Sequence, residues 1–327
     1  MVVVVADVSA QSPSASGRSA AGAGATGTKV TTPRTPWGDP DLQGTYTNKY
    51  ETSTPFERPK EFEGRRLEDV TAAELAVAVK KRQEDTLARA KFFGGDPEGL
   101  IGNSAEFRDI YEVSRGSRAW FVTDPVDGHI PPTLPAARTR IAAERRATGS
   151  FGNGPFNGPE DFSLWDRCIT RGLPGSMLPG QYGNSYEIVQ APGFVAIRYE
   201  MVHDTRVIPL NGTSHAGKAI ALDMGDARGH WEGDTLVVVT TNFKTRSVYR
   251  NADAATLRLV ERFRRTAADA VEWTGTVEDP STWARPWTFS IPLTKNDSEP
   301  VLEYACHEGN QAIRNILSAA RATERAK

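Results

Sequence analysis

The stretch that decides the fold is residues 257–277, LRLVERFRRTAADAVEWTGTV. Apolar and polar residues alternate on both sides of Ala267-Ala268-Asp269, which is typical of two strands joined by a tight turn. Similar segments bounded by turn residues lie on either side of it, so strands are expected at 186–190, 194–202, 205–210, 235–241, 257–266, 270–277, 287–292 and 301–304. Many short strands with short connections predict antiparallel meanders that close into a barrel or a curved sheet.

Helical patterns concentrate in the first half of the chain. Thr71 is a candidate N-cap, and Glu74 is its capping-box partner. Helices are expected at 67–93, 135–148 and about 311–322. The predicted fold is therefore mainly β with peripheral helices: an antiparallel, lipocalin-like β-barrel over 151–327 that ends in a helix, with a helical and loop-rich N-terminal segment, 33–150, packed on it as one continuous body.

The N-terminal residues have the composition of a leader and a tether. The run Val2-Val3-Val4-Val5 and the sequence Val8-Ser9-Ala10 resemble the end of a signal peptide that lacks its charged start. Nearly all residues of 11–27 are Ser, Ala, Gly or Thr, which bury too little apolar surface to fold. Residues 1–32 are therefore predicted to be a clipped signal peptide and flexible tether, and the protein is predicted to be periplasmic or secreted.

Composition excludes several classes of partner. The chain has 327 residues, with 39 Lys and Arg against 41 Asp and Glu, so a net charge of -2 gives no field for nucleic acid. No apolar stretch is long enough to span a membrane as a helix. A small-molecule substrate is therefore the expected partner, and the composition leaves the oligomeric state open.

The two cysteines, Cys168 and Cys306, allow two interpretations. In an exported protein they form one disulfide that closes a long loop. In a reducing compartment Cys306 beside His307 is instead a candidate nucleophile next to a base.

Seven distinctive motifs are spread over residues 33–321: TPWGDPDLQG (35–44), RCITRGLPG (167–175), YEMVHDTRVIPL (199–210), GHWEGDTLVV (229–238), TTNF (240–243), VEDPSTWARPW (277–287) and EYACHEGN (303–310). Together they resemble a large family of exported, mostly uncharacterised proteins of soil bacteria such as Acidobacteria. The resemblance implies export and a β-rich body, and it implies no particular reaction. Val239 stands where the family pattern has an Asp, so no acid role is expected there. A weaker similarity, to lipocalin-like barrels, rests on the alternation of strands and on the W-x-G-D turn at 231–234.

The densest group of reactive side chains lies at 199–206. On a continuous strand Glu200, Asp204 and Arg206 share one face and Tyr199 and His203 share the other, unless His203-Asp204 is itself a hairpin turn. Glu200, His203 and Asp204 are candidate catalytic residues, because a carboxylate beside a His and an Arg suits acid–base catalysis. The alternative is a solvated hairpin with an ordinary Glu–Arg pair.

A second candidate group, at 303–310, lies before the last helix. His307 and Glu308 are candidate catalytic residues, since a helix N-terminus favours a bound anion. The alternative is that Asn310 caps this helix while Cys306 anchors it through a disulfide.

Arginines and aromatic residues complete the predicted site. Arg167 and Arg171 are suited to clamp an anionic substrate, although exposed arginines often have no such role. Trp283 and Trp287 alternate with other residues as the side chains on one face of a strand do, so a core or barrel-lining position is the alternative for Trp287. The predicted substrate-binding residues are Arg167, Arg171, Tyr182, Tyr199, Arg206 and Trp287.

No cofactor is predicted from the sequence. The five histidines lack the spacing of a zinc motif, so any divalent metal would need distant ligands, of which His203, Glu303 and His307 are the best set. The sequence Gly212-Thr213-Ser214-His215 lacks the G-x-S-x-G pattern of serine hydrolases.

The favoured function is an exported enzyme that uses acid–base catalysis. It is expected to be a lyase, isomerase or hydrolase acting on a small organic or sugar-derived substrate in a β-barrel pocket. This function requires the side chains of His203 and His307 to lie close together. The alternatives are a lipocalin-like binding protein for an apolar small molecule and a structural envelope protein without a pocket.

Overall fold

A computed structural model describes residues 31–93, 116–147, 156–180, 182–245, 249 and 252–326. The side chains of 86–93 and 145–147 lie outside this description. So do residues 1–30, which contain almost all of the predicted leader and tether, and 151–155, which begin the predicted barrel region.

The described chain is built around one antiparallel β-sheet. Its strands are β1 (Gly44–Thr47), β2 (Val122–Asp124), β3 (Ser185–Ala191), β4 (Phe194–Tyr199), β5 (Thr205–Pro209), β6 (Asp226–Glu232), β7 (Thr235–Thr241), β8 (Arg258–Ala267), β9 (Ala270–Glu278) and β10 (Trp287–Lys295). The described helices are α1 (Ala72–Phe93), α2 (Pro135–Ala147) and α3 (Ala312–Arg325). The predicted fold class, mainly β with peripheral helices, is confirmed.

Nine of the strands curve into a nearly closed barrel. Their order is β5-β4-β3-β1-β10-β9-β8-β7-β6, and β2 pairs with β10 outside this path. Because every pairing is antiparallel and the number of strands is odd, the two outer strands, β5 and β6, run parallel. In the described chain these two strands lie side by side without a ladder of backbone hydrogen bonds between them. Their contact is close, because a Cβ at Gly229 of β6 would lie only 2.8 Å from Ile208 of β5. Side chains, rather than backbone hydrogen bonds, close the barrel.

The interior of the barrel is filled by large side chains. On β9 the buried residues alternate along the strand, as the sequence pattern predicts, and include Val271, Trp273 and Val277. Gly275 follows the same inward alternation, and a Cβ there would lie 2.3 Å from the ring of Phe289. The glycine is therefore required by the close approach of an aromatic ring.

A buried ion pair crosses this apolar interior. Both Nη atoms of Arg206 on β5 contact the carboxylate of Glu261 on β8, and the exposed fractions of the two side chains are 3% and 0%. The indole Nε1 of Trp273 donates to the same carboxylate at 3.1 Å. Burial alone would lower the pKa of Arg206, but the Glu261 carboxylate raises it above the ordinary value, so the arginine is charged. The pair links β5, which has a ladder with β4 but none with β6, to β8 through the interior.

Three elements differ from the sequence prediction. The segment 301–304 is not a strand, because it runs along the surface without a β-partner, and Leu302 is 63% exposed. Strand β6 was not predicted, because glycine and turn residues interrupt its pattern. The N-terminal segment is also less helical than predicted: its strand β1 enters the barrel between β10 and β3.

The two ends of the barrel have different connections. At one end the strands are joined by tight turns at 192–193, 233–234 and 268–269. At the other, which we call the loop end, the chain makes the connections 48–184, 200–204, 242–257 and 279–286. Binding and catalytic groups are commonly carried by long connections on a rigid scaffold, so the loop end is where a site is expected.

The buried ion pair yields a stability prediction. Replacing Glu261→Leu leaves Arg206 buried without its counter-charge, and the free energy of unfolding should fall by about 3–5 kcal/mol. The double variant Arg206→Met, Glu261→Leu should recover most of this loss, because it removes both charges. Urea unfolding followed by circular dichroism measures both effects.

A matched surface variant is Glu232→Gln, which breaks the exposed contact between Glu232 and Arg262 and should leave unfolding unchanged. The interpretation of the buried pair is wrong if Glu261→Leu unfolds like the unmodified protein, or if the double variant is no more stable than the single one.

Candidate functional site

A disulfide organises the loop end. Cys168 and Cys306 are bonded, with their Cα atoms 5.7 Å apart, so the disulfide interpretation of the two cysteines is confirmed and Cys306 is not a free nucleophile. The bond joins the RCITRGLPG stretch to the EYACHEGN stretch, and the latter contacts the turn after β4. We call the side chains around it the disulfide cluster: Trp165, Arg167, Arg171, Tyr182, His203, Tyr304 and His307.

Arg171 is the charge of the disulfide cluster that lies on an aromatic ring. Its guanidinium carbon lies 4.7 Å from the centre of the Trp165 ring, and the side chain is half-buried. Within the described residues it makes no ion pair and no hydrogen bond. None of the described residues therefore supplies an acceptor for its five N–H groups.

Two tyrosines form a flat surface in the same cluster. The rings of Tyr182 and Tyr304 stack with centroids 6.1 Å apart and an angle of 11° between their planes. Burial raises the pKa of Tyr182, and the hydrogen bond with Tyr304 raises it further, against the opposing charge of Arg171. The phenol therefore stays neutral at ordinary pH.

His203 is fixed by the C-terminal segment. Its Nε2 accepts the backbone N–H of Tyr304 at 2.9 Å, which places the proton of the neutral ring on Nδ1. Val202 and His203 have φ of 60° and 56°, a left-handed conformation that is costly for a β-branched residue such as Val202. Strain of this kind is often found at functional sites.

The turn between β4 and β5 corrects one expectation. Residues 200–204 form the turn itself, so the predicted common face of Glu200, Asp204 and Arg206 does not exist. Glu200 accepts the backbone N–H of Ser185 at 3.1 Å, and Arg206 points into the barrel interior. The predicted catalytic roles of Glu200 and His203 stay predictions.

Asp204 is the titratable group of this turn with an altered environment. Burial raises the pKa of its carboxyl group, the hydrogen bond from Thr170 Oγ1 at 2.6 Å opposes that effect, and the nearby charge of Asp223 raises the pKa further. The net rise moves Asp204 toward the range in which a carboxyl group exchanges protons at working pH.

Three predicted substrate-binding residues lie in the barrel interior. Tyr199 and Trp287 have no exposed surface, and Arg206 is paired with Glu261. Their positions agree with the core interpretation that the sequence left open for Trp287. They support the barrel instead of lining its loop end.

His307 and Arg167 line a small cavity next to the disulfide. The cavity has a volume of about 220 Å³ and lies at the N-terminal end of α3. His307 is exposed, and Asn310 Oδ1 accepts the N–H of Ala312 at 3.0 Å, as the helix-capping alternative predicts. His203 and His307 are both open to solvent, His203 against the backbone of Tyr304 and His307 at the cavity.

The acidic residues beside these histidines are exposed as well. Glu303 and Glu308 lie on the surface, and Glu308 remains a predicted catalytic residue. Among the residues that the structure describes, no three His, Cys, Asp or Glu side chains come together to hold a metal ion. The ligand set suggested for a metal, His203, Glu303 and His307, is therefore not assembled. Over the same residues, no helix has the length and apolar character needed to cross a bilayer.

Sequence reasoning missed one pair of titratable groups at the loop end. Nδ1 of His215 lies 3.2 Å from Oδ2 of Asp226, which is 7% exposed. The same oxygen accepts the N–H of Ala216 at 2.7 Å, and Arg228 contacts the other carboxylate oxygen. A buried carboxylate that holds a partly exposed imidazole is the arrangement of a general base with its orienting residue. The separation of eleven residues in sequence matches no motif.

The disulfide yields a second stability prediction. The variant Cys168→Ser, Cys306→Ser should lose about 4 kcal/mol of unfolding free energy, since the bond closes a loop with a sequence separation of 138. Chemical unfolding in guanidinium chloride measures the change, and the unmodified protein treated with a reductant is the matched control. An unchanged unfolding midpoint in both samples would contradict the structural role of the bond.

Comparisons with known proteins identify no family. Neither a scan against models of protein families nor a search of curated proteins gives a match. Among solved structures, the chain is similar to a crystal structure of an abundant heat soluble (SAHS) protein from Ramazzottius varieornatus, with 13% identity over 41% of this chain and 87% of that chain and a TM-score of 0.25. This similarity is too low to carry an argument about the site.

Proposed function

We propose that this protein binds a small organic anion at the disulfide cluster, with Arg171 as the anchor. The observation that carries the proposal is the half-buried guanidinium that lies on Trp165 without an acceptor among the described residues. Partial burial of a charge without a counter-ion is costly, so an arriving anion is favoured there. The planar guanidinium matches the geometry of a carboxylate or a phosphate.

The surroundings of Arg171 suggest the rest of the ligand. The stacked rings of Tyr182 and Tyr304 offer a flat apolar surface, which suits an aromatic ring or the face of a sugar. Next to the disulfide, Arg167 and His307 line a separate cavity of about 220 Å³, a volume that suits a small molecule. The proposed ligand is therefore a small carboxylate or phosphate ester that carries one ring.

The packing of the barrel favours this location over the interior. A lipocalin-like binder of an apolar ligand needs space between its sheets, whereas here Trp273, Trp287 and Phe289 occupy the interior without exposed surface. The disulfide supports the accompanying proposal of a periplasmic or secreted protein, because disulfides persist in oxidising compartments.

Substitution of the anchor tests the proposal. Arg171→Gln should weaken the binding of benzoate or phenyl phosphate by about 10- to 100-fold, the usual value of a hydrogen-bonded charge. Arg171→Lys should keep part of the affinity, because it retains the charge without the planar fork. Isothermal titration calorimetry measures each dissociation constant.

The matched control is Arg264→Gln, an exposed arginine on the outer surface of β8 that causes the same change in net charge. The proposal fails if Arg171→Gln binds both anions as tightly as the unmodified protein, or if the control weakens binding equally.

A second candidate function, acid–base catalysis by an exported lyase, isomerase or hydrolase, is favoured by the His215–Asp226 pair. The buried carboxylate orients the imidazole, and Asn242 holds the same loop by donating from Nδ2 to the carbonyl of Ala216 at 2.9 Å. Asn242 itself has φ of 55°. His203, by contrast, uses Nε2 to accept a backbone N–H. We therefore place the base of this second candidate at His215.

Hydrolysis of p-nitrophenyl acetate, a general probe of reactive imidazoles, tests His215 as a base. His215→Gln and Asp226→Asn should each lower the rate at least about 100-fold, the lower end of the effects seen for acid–base groups. His230→Gln is the matched control, since Nε2 of His230 lies 3.2 Å from Oε1 of Glu232 in an exposed pair. Melting temperatures exclude unfolding as the cause. Equal rates in the His215 and His230 variants would remove the basis for this candidate.

A further inference from the structure

We infer that the protein has a second, separate binding site, for an uncharged molecule that contains a ring, between the start of α2 and the connection from β9 to β10. A cavity of about 420 Å³ lies there, within the usual size range of small-molecule sites. Its apolar walls come from Leu134, Pro280, Trp283, Ala284 and Pro286. Most of these residues belong to the VEDPSTWARPW stretch, which the site around the disulfide does not use.

The walls of this cavity are held in place by the barrel. The backbone N–H of Leu134 donates to the carbonyl of Thr282 at 2.9 Å, and Thr133 forms a β-bridge with Trp283. Trp283 is 4% exposed and packs edge-to-face on the interior Trp287, with ring centroids 5.6 Å apart. The cavity is therefore formed before any ligand arrives, which lowers the entropic cost of binding.

The half-buried Glu278 and the exposed Arg285 at the cavity both have ion-pair partners. Glu278 contacts Arg258 at 2.6 Å, and Arg285 contacts both carboxylate oxygens of Asp124, at 2.8 and 3.0 Å. An ionic ligand would have to compete with these pairs. This cavity thus differs from the disulfide cluster, where Arg171 lacks an acceptor among the described residues.

The buried carboxylate at the cavity is also satisfied. Asp279 accepts hydrogen bonds from Thr256 Oγ1 at 2.6 Å, from the N–H of Asp253 at 2.7 Å and from Ser281 Oγ at 2.9 Å. Burial alone would raise the pKa of Asp279, but these hydrogen bonds hold it below the ordinary value. Its oxygens are therefore satisfied by donors of the protein itself.

The chemistry of the walls selects the ligand class. Indole and proline rings present flat C–H surfaces, which pack well on aromatic or alicyclic rings. With these polar groups satisfied inside the protein, burial of apolar surface is the main source of affinity. The expected ligand is an uncharged aromatic or alicyclic molecule.

Two fluorescent probes with the same rings test this inference. N-phenyl-1-naphthylamine is uncharged, and 1-anilinonaphthalene-8-sulfonate adds a sulfonate. The uncharged probe should bind to the intact protein, and Ala284→Trp, which fills the cavity from an exposed position, should weaken its binding at least about tenfold. Ala268→Trp, in the exposed turn between β8 and β9, is the matched control and should have no effect.

The variants also separate this site from the proposed anion site. Arg171→Gln should leave the uncharged probe bound as before, whatever it does to benzoate. The inference is overturned if the uncharged probe does not bind, if Ala284→Trp binds it with unchanged affinity, or if Ala284→Trp weakens the sulfonated probe as strongly as the uncharged one.

Discussion

The ion pair between Arg206 and Glu261 is the main constraint on the barrel interior, because neither charge can stay buried without the other. An odd number of antiparallel strands leaves β5 and β6 parallel at the seam, and they have no ladder in the described chain. The pair reaches across the interior from β5 to β8, with Trp273 as a third partner, and so replaces the missing ladder by a link through the core. Isolated buried charges are costly, and here each charge is compensated by its partner on the other strand.

Closure through the core determines where ligands can bind. Charged and aromatic side chains occupy the interior, so binding is left to the loop end, where long connections are anchored by the disulfide Cys168–Cys306. Two sites are proposed there, one for an anion and one for an uncharged molecule. Around Arg171 a charge lacks an acceptor among the described residues, whereas around Trp283 the charges of two side chains are ion-paired. The same scaffold can thus hold an anion and an uncharged ring without competition between them.

Local patterns predicted much of this fold, whereas among contacts between distant residues the sequence suggested only the disulfide Cys168–Cys306. Two of the correct predictions depend only on residues close together in sequence. One is the alternation in β8 and β9. The other is the capping box of Thr71 and Glu74, in which the Thr71 N–H donates to Glu74 at 2.9 Å. The segment 301–304 has a strand-like composition but no neighbour to pair with, and composition alone does not reveal a partner. The pair of His215 and Asp226 depends on how a loop folds back, so no spacing rule detects it.

One measurement tests most directly whether ligands bind at the loop end rather than inside the barrel. Labelling with 5-fluorotryptophan gives each of the seven tryptophans a separate ¹⁹F resonance. Titration with phenyl phosphate should move the resonance of Trp165, beneath Arg171, and leave those of the interior Trp273 and Trp287 unchanged. Movement of Trp273 and Trp287 with an unmoved Trp165 would place the ligand inside the barrel and contradict this account.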